Sequence, residues 1–157
     1  PSYEQFASLA HERGFSFSYA IFDIDHFKEV NDTRGHLGGD HALRGVAEIV
    51  QEKIDRRHIF IRYGGDEFVL LALHYDLEAM VAFCEHLREI LEHTLDGVTL
   101  SFGVSTWHGK KDRLRALMER ADRALYCSKE KGRNSVSTES EAACSDICAN
   151  ANAEHHR

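Results

Sequence analysis

Two pairs of acidic residues stand where strands are predicted to end or turn. Asp23 and Asp25 follow an aromatic and β-branched run at 15–22. Asp66 and Glu67 follow two glycines in a hairpin-like sequence. Carboxylate oxygens are the ligands that Mg²⁺ prefers, and residues at i and i+2 of a strand share a face. If the two segments are neighbouring antiparallel strands, Asp66 would face Asp23, as two-metal phosphoryl or nucleotidyl transfer requires.

Each acidic pair also has a purely structural interpretation. Asp25 could cap a helical turn that begins directly after it. Gly-Gly-Asp-Glu is also common in hairpins that simply face solvent, because glycine and aspartate suit tight turns. Residue types alone leave metal binding and capping equally plausible for the first pair, and they favour the ordinary hairpin for the second.

Cationic and amide side chains offer a second kind of site. Lys28, Lys129 and Arg133 lie near predicted segment ends. They could clamp a triphosphate or stabilise the negative end of a helix dipole. Asn31 and Asp40 flank a glycine-containing loop, where they could bind the edge of guanine or act as ordinary turn and N-cap residues. Spacing alone favours the structural interpretation for both sets.

Hydrophobic periodicity places these residues on alternating strands and helices. The predicted elements are a helix at 3–12, strands at 15–22, 59–63, 68–73, 98–104 and 134–137, and helices at 40–54, 76–93 and 113–131. Hairpins mixed with helical crossovers predict an α+β sandwich around a mainly antiparallel sheet. The stretch 31–39 is predicted to be a loop. We expect one domain at 1–138 and a disordered polar tail at 139–157.

Composition excludes several classes of protein. A net charge of -7 argues against a nucleic-acid binder. No apolar run approaches the roughly 20 residues of a membrane span, so no membrane contact is expected. The cysteines do not read as a disulfide framework, which favours a reducing cytoplasm; they are Cys84, Cys127, Cys144 and Cys148. The 11 histidines show no familiar zinc spacing.

Taken together, the ordered motifs resemble the GGDEF family of diguanylate cyclases. The motifs are Asp23-Ile24-Asp25-His26-Phe27-Lys28, Asn31-Asp32, Gly35-His36-Leu37-Gly38-Gly39-Asp40, Arg62-Tyr63-Gly64-Gly65-Asp66-Glu67-Phe68, Ser101-Phe102-Gly103-Val104-Ser105, Ala121-Asp122-Arg123-Ala124-Leu125-Tyr126 and Lys129-Glu130-Lys131-Gly132-Arg133-Asn134. They cover roughly residues 15–138. The resemblance implies a palm-like, ferredoxin-like sandwich related to class III nucleotidyl cyclases. It also implies that two GTP molecules are condensed into cyclic di-GMP and pyrophosphate.

The same resemblance implies a role for each matching residue. Asp23, the Ile24 carbonyl and Asp66 would hold two Mg²⁺ or Mn²⁺ ions. Asp66 would also be the base for the 3'-hydroxyl, with Glu67 beside it, and Lys28 would stabilise the transferring phosphate. The substrate-binding set would comprise Phe27 with the neighbouring main chain, Asn31, His36, Asp40, Gly64, Gly65, Lys129 and Arg133. Because one site holds one GTP, a homodimer is implied, with an N-terminal sensor or receiver domain in the full-length protein.

Two departures from the family pattern qualify these expectations. The family often carries an inhibitory product site, Arg-x-x-Asp, separated from the first hairpin glycine by five residues. Asp55-Arg56-Arg57-His58 stands there instead, so product feedback is predicted to be weak or absent, although Arg56 and Arg57 could still contact a phosphate. The family's leading Leu-Thr-Gly-Leu-type helix is also missing ahead of Tyr3, either cut away or diverged.

Three other functions are compatible with the same residues. The main alternative is a catalytically silent domain of this family that binds GTP or cyclic di-GMP as a sensor. A nucleotidyl cyclase with another base preference is a second, although Asp40 is retained where members that make mixed products carry serine. The third is a structural α+β domain whose acidic turns bind nothing.

Overall fold

Five strands and four long helices make up the described part of the chain, which comprises residues 3–143 of this computed structural model. In order they are α1 (Tyr3–Arg13), β1 (Phe17–Ile24), α2 (Phe27–Lys53), β2 (His58–Gly64), β3 (Glu67–Leu73), α3 (Leu77–Thr94), β4 (Leu100–Thr106), α4 (Leu114–Glu130) and β5 (Val136–Thr138). The sheet order is β2-β3-β1-β4-β5. Only the short β5 pairs in parallel, with β4. This confirms the predicted α+β sandwich with a mainly antiparallel sheet.

The central strand β1 divides the core into two layers. Its even-numbered residues, such as Phe22, pack into a cluster with α2 and α3. Its odd-numbered residues, such as Tyr19 and Ile21, pack against α4 on the other side. Every residue of β1 is buried, because helices cover both faces of the strand. Asp23 continues the odd-numbered set, so its side chain is directed towards α4.

Helix α4 lies close to β4 because small residues line their contact. A Cβ placed on Gly103 would lie 2.8 Å from the Cα of Leu125 and closer still to the carbonyl oxygen of Ala121. Such distances leave no room for any side chain at this position. The hydroxyl of Ser128 also donates to the carbonyl of Phe102 at 2.7 Å. These contacts fix both the distance of α4 from the sheet and its position along β4. They bring the last turn of α4 to the end of β1.

Helix α2 begins earlier than the sequence predicts, so the predicted loop at 31–39 is wrong. That stretch is helical, with one break at Gly35, where φ is 73° and ψ is 175°. Glycine adopts this left-handed backbone without a steric penalty. Phe27 and Val30 pack against the core, so tertiary packing overrides the weak helix propensity of the turn-type residues. As a result, Asp40 lies inside α2 rather than at its N-cap.

The first residues of the predicted tail are attached to α4. Residues 139–143 form a further helical turn. In this turn, Glu139 accepts a hydrogen bond from Nε of Arg120 at 2.6 Å, and Glu141 pairs with Lys131. The remainder of the predicted tail, including Cys144 and Cys148, lies outside the described residues. Within residues 3–143, no helix is both long enough and apolar enough to cross a membrane.

Candidate active site

The strand pairing brings the two acidic segments together. Strand β1 pairs antiparallel with β3, with Asp23 opposite Glu67, and Gly64 pairs with Glu67 across the hairpin. The two-residue turn between them carries Asp66. Asp23 and Asp66 consequently line one cavity, which has a volume of about 430 Å³.

Four structural elements form the wall of this cavity. They are the end of β1, the first turns of α2, the hairpin and the last turn of α4 with the loop after it. The lining residues are Asp23, Ile24, Asp25, His26, Phe27, Lys28, Asn31, Asp66, Lys129 and Arg133. The side chain of Ile24 is buried in the core, so only its main chain can face the cavity. The wall therefore combines three carboxylates with three cationic side chains.

Asp23 is the most constrained carboxylate of the site. It is 5% exposed, and its Oδ2 lies 2.6 Å from Nζ of Lys129. Its Oδ1 is buried and has no hydrogen-bond partner among residues 3–143. Burial raises the pKa of Asp23 to about 6; Lys129 opposes the shift, and the charges of Asp66 and Asp25 add to it. Such an oxygen is costly to leave unsatisfied.

A divalent cation fits this arrangement of oxygens. Ions such as Mg²⁺ prefer oxygen ligands and commonly use one or two carboxylates together with substrate phosphates. Within residues 3–143, no three His, Cys, Asp or Glu side chains converge on one point. An ion held by Asp23 and Asp66 would therefore take its remaining ligands from main-chain oxygens, water or the phosphates of a nucleotide.

The carboxylate of Asp25 is engaged by hydrogen bonds within the fold, which argues against the metal-binding interpretation that the sequence left open for it. Its carboxylate accepts hydrogen bonds from Oγ1 of Thr99 at 2.8 Å, Oγ of Ser101 at 2.6 Å and the N–H of Asn134 at 2.9 Å. These bonds tie the end of β1 to β4 and to the loop after α4. Asp25 does not cap α2 either, since the N-cap is His26 and no side chain bonds there.

The start of α2 faces the cavity and favours anions. His26 has a left-handed backbone, with φ of 53°, and the helix begins at the next residue. The first N–H groups of a helix lack intrahelical partners and carry a partial positive charge, which makes a helix start a phosphate-binding element. Lys28 lies in this turn and Arg133 lines the same cavity. The ion pairs found within residues 3–143 include neither of them.

The residues predicted to bind guanine do not line the same cavity. Asn31 lines the cavity described above, and a Cβ on Gly39 would lie 2.9 Å from its Cγ, so glycine there makes room for the carboxamide. Asp40 instead lines a second cavity of about 350 Å³, together with Leu43, Arg44, Ala47, Phe60, Arg62 and Phe68. His36 is exposed.

The hairpin glycines face open space. In the described part of the chain, a Cβ on Gly64 or Gly65 would have no atom within 4 Å apart from those of the adjoining residues, and both residues are exposed. Gly65 has a φ of 33°, which favours glycine on backbone grounds alone. Glu67 is half-buried beside Asp23 in the sheet. The glycines thus add no side chain of their own next to Asp66, while the guanidinium of Arg62 donates to the carbonyl of Gly65 at 2.7 Å.

The segment from Asp55 to His58, which stands where the family often carries its product site, forms a closed network within the chain. The carboxylate of Asp55 accepts from the main-chain N–H of Arg57 at 2.8 Å and from its Nη2 at 2.8 Å. The guanidinium of Arg57 holds the pKa of Asp55 well below its usual range. The side chain of His58 is buried, stacks on Phe83 at 4.9 Å, and has a pKa lowered by burial.

We expect cyclic di-GMP not to inhibit this protein through that network, because Asp55 already engages Arg57 and His58 offers no exposed polar edge. The measurement is turnover against added cyclic di-GMP, with isothermal titration of the ligand. Restoring the family motif with Asp55→Arg and His58→Asp supplies the positive control. Inhibition at micromolar cyclic di-GMP that disappears in the variant Asp55→Ala/His58→Ala would contradict the expectation.

The polar residues that hold the site in place were not among those predicted from the sequence. Thr99 and Ser101 bind Asp25 from the start of β4, and Arg88 with Glu92 binds Asn134 from α3. One signal was available: two hydroxyl residues stand at i and i+2 on the strand that neighbours β1. For the residues of α3 there was no local signal, since they resemble an ordinary charged helix face.

The fold and the carboxylates at the end of its central strand define a class of protein. A five-stranded, mostly antiparallel sheet flanked by helices is the palm-like fold of nucleotidyl cyclases. The model of the family described as "Diguanylate cyclase, GGDEF domain" matches residues 3–135. The chain therefore belongs to the GGDEF family.

Individual relatives agree with this assignment. Diguanylate cyclase A of Treponema denticola is 38% identical over 132 residues, which are 80% of this chain and 36% of that protein. The GGDEF domain of DgcB from Caulobacter crescentus, solved in complex with c-di-GMP, has a TM-score of 0.83 and 32% identity, covering 87% of this chain and 85% of that chain. The active GGEEF domain of a diguanylate cyclase from Vibrio cholerae has a TM-score of 0.79 and 30% identity, covering 87% and 90%. The chain spans about a third of the Treponema protein.

Proposed function

We propose that this chain is a diguanylate cyclase domain, which condenses two GTP molecules into cyclic di-GMP and releases two pyrophosphates. The observation that carries the proposal is the buried, unpartnered Oδ1 of Asp23 in a cavity shared with Asp66 and three cationic side chains. A buried carboxylate oxygen without a partner is costly to the fold, and a bound cation would offset that cost. The named activities of the relatives agree with this chemistry.

The triphosphate would bind to the cationic part of the cavity. Lys28, Lys129 and Arg133 provide positive charge, and the N–H groups at the start of α2 provide hydrogen bonds. Lys129 is paired with Asp23 in this structure, so it would exchange that partner for a phosphate oxygen. The guanine would be held by Asn31 in the first cavity and by Asp40 in the second, so the base would have to reach from one cavity to the other. The carboxylate of Asp40 can accept from two N–H groups on the edge of the base.

Asp23, Asp66 and the Ile24 carbonyl would hold two Mg²⁺ or Mn²⁺ ions. When bound, such ions lower the pKa of a ribose hydroxyl and neutralise charge on the leaving pyrophosphate. Asp66 would accept the proton of the 3'-hydroxyl of one GTP. The resulting oxygen would bond to the α-phosphorus of the other GTP, and the bond from that phosphorus to pyrophosphate would break.

Two copies of the chain would be needed for one product. Each cavity lies at the end of one β1 and would hold one GTP, while the product contains two 3'–5' linkages. Two protomers would therefore face each other across a two-fold axis, each supplying one nucleotide. In the full-length protein, an N-terminal sensor or receiver domain would control this encounter. A cytoplasmic location remains a prediction.

The test is incubation of the protein with GTP and Mg²⁺ at high protein concentration, followed by chromatography of the products. We expect cyclic di-GMP and pyrophosphate in a ratio of one to two. Binding of GTP without any product would favour the silent sensor instead. If neither GTP nor cyclic di-GMP shifts the melting temperature, the structural-domain alternative would stand.

Base preference offers a separate prediction at Asp40. The change Asp40→Ser should lower the preference for GTP over ATP about 10-fold or more, because the variant loses the acceptor for the guanine N–H groups. The measurement is turnover with both nucleotides in competition. Asp32→Ser is the matched control, since Asp32 is exposed on the same helix. An unchanged preference in Asp40→Ser would exclude this residue from base binding.

A further inference from the structure

The loop after α4 has an unusual backbone that is held from several sides. Three consecutive residues have positive φ: Gly132 at 106°, Arg133 at 68° and Asn134 at 45°. Glycine adopts this backbone freely and asparagine tolerates it, whereas for Arg133 it is unfavourable and persists only where surrounding contacts impose it. The N–H of Arg133 donates to the carbonyl of Ser128 at 3.0 Å. The N–H of Asn134 donates to Asp25 at 2.9 Å.

Side chains of α3 hold the same loop through hydrogen bonds to Asn134. We call the set formed by Arg88, Glu92 and Asn134 the bracket. Nη1 of Arg88 donates to Oδ1 of Asn134 at 3.1 Å, and Nδ2 of Asn134 donates to Glu92 at 3.0 Å. Arg88 also donates to Glu92 at 3.1 Å and to Glu85 at 3.0 Å. The Arg88 side chain is only 16% exposed, whereas Glu85 and Glu92 are 40% and 39% exposed, so the network is partly open to solvent and its value lies in the geometry that it imposes on Asn134.

The bracket acts one residue away from a cation of the site. Asn134 is fixed between the end of β1 and α3, and the preceding residue, Arg133, lines the cavity. No residue of α3 lines that cavity. We infer that Arg88, Glu92 and Asn134 are positioning residues, which orient Arg133 towards the triphosphate of the nucleotide. This inference rests on the proposed function, since it assigns the bracket to the binding of the same GTP.

A cation held in a defined place binds a phosphate better than a mobile one, because less conformational freedom is lost on binding. Loss of the bracket should therefore weaken nucleotide binding and raise KM while kcat changes little. A bracket that served only stability would lower the melting temperature and leave KM and nucleotide affinity unchanged. The positioning role and the purely structural role can therefore be distinguished by measuring KM and nucleotide affinity together with the melting temperature.

Asn134→Gly removes the side chain of Asn134 and leaves its backbone interactions intact, because glycine keeps the left-handed conformation and the N–H bonded to Asp25. Arg88→Met removes the guanidinium and keeps the apolar stem. The probe is 3'-deoxy-GTP with Mg²⁺, which lacks the attacking hydroxyl. We expect its Kd to rise about 10-fold in both variants, with a similar rise in KM for GTP. Arg123→Met is the control, because Arg123 is 58% exposed and pairs distantly, at 4.0 Å, with Glu119.

A double variant tests whether the bracket acts through Arg133. In an Arg133→Met background, Asn134→Gly should add no further loss of affinity. An additive loss there, or an Asn134→Gly protein that binds the analogue as tightly as Arg123→Met, would overturn the inference alone. If the wild-type protein does not bind 3'-deoxy-GTP, the proposed function fails and the inference fails with it.

Discussion

Replacing Asp66 or Asp23 with asparagine is expected to reduce the formation of cyclic di-GMP at least about 1,000-fold. Asparagine keeps the size of the side chain and removes the negative charge that a divalent ion requires. Asp66 would also lose its capacity to accept the proton of the 3'-hydroxyl. Chromatography of the products gives the turnover, and circular dichroism verifies the fold. Turnover within 10-fold of the wild type in either variant would refute the proposed function.

Asp23→Asn and Asp66→Asn should differ in their free energy of unfolding. The pH dependence of this free energy in Asp23→Asn tests the environment of Asp23. Its pKa is raised from 3.8 to about 6 in the folded protein, so folding favours its protonated form. The contribution of protonated Asp23 to the free energy of unfolding is fully present below about pH 4, and it is lost as the pH rises through about 6. Asparagine cannot ionise, so Asp23→Asn avoids this loss. Lys129 is one-third exposed and can reach solvent when its partner is neutral.

Urea denaturation in EDTA measures this effect. The free energy of unfolding of Asp23→Asn should exceed that of the wild type increasingly from pH 4 to pH 7, by at most about 3 kcal/mol. Asp25→Asn is the matched comparison and should destabilise the protein, because an amide group would face donors from Thr99, Ser101 and Asn134. A constant difference between Asp23→Asn and wild type across this pH range would contradict the assigned environment of Asp23.

Gly103→Ala is expected to have the largest effect on stability of any glycine substitution in the sheet. The added Cβ would overlap main-chain atoms of Ala121 and Leu125. Those atoms belong to a regular helix, so α4 as a whole would have to move away from β4. We expect a loss of about 3 kcal/mol in the free energy of unfolding. We also expect weaker nucleotide binding, because Lys129 would move with the helix.

Urea denaturation compares this variant with Gly64→Ala. A Cβ on Gly64 meets no atom within 4 Å, so its free energy of unfolding should stay within about 0.5 kcal/mol of the wild type. The same chemical change is thus made once against a helix backbone and once in open space. A Gly103→Ala protein as stable as Gly64→Ala would show that α4 is not confined by close contact with β4.

Local patterns predicted the strands, the hairpin and most of the helices correctly. Strand β1 is rich in aromatic and aliphatic residues, and the two glycines before Asp66 signal a turn. These features depend on neighbouring residues, so they can be recognised without knowing the fold. The stretch 31–39 was predicted as a loop because Asn, Asp and Gly favour turns. It is helical because Phe27 and Val30 are anchored in the core, and that contact has no local signature.

The amino-acid sequence was sufficient to predict the family and the type of sheet, and it predicted the proximity of Asp23 to Asp66 on the condition that their strands are neighbours. Antiparallel pairing across a short hairpin follows from the order of the motifs. Whether each carboxylate is free to bind a ligand, however, depends on hydrogen-bond partners that are distant in the sequence. Asp25 is bound by Thr99, 74 positions away, and by Asn134, 109 positions away, whereas one oxygen of Asp23 is left without a partner. Two aspartates of the same motif thus differ in role because only folding brings those distant donors to one of them.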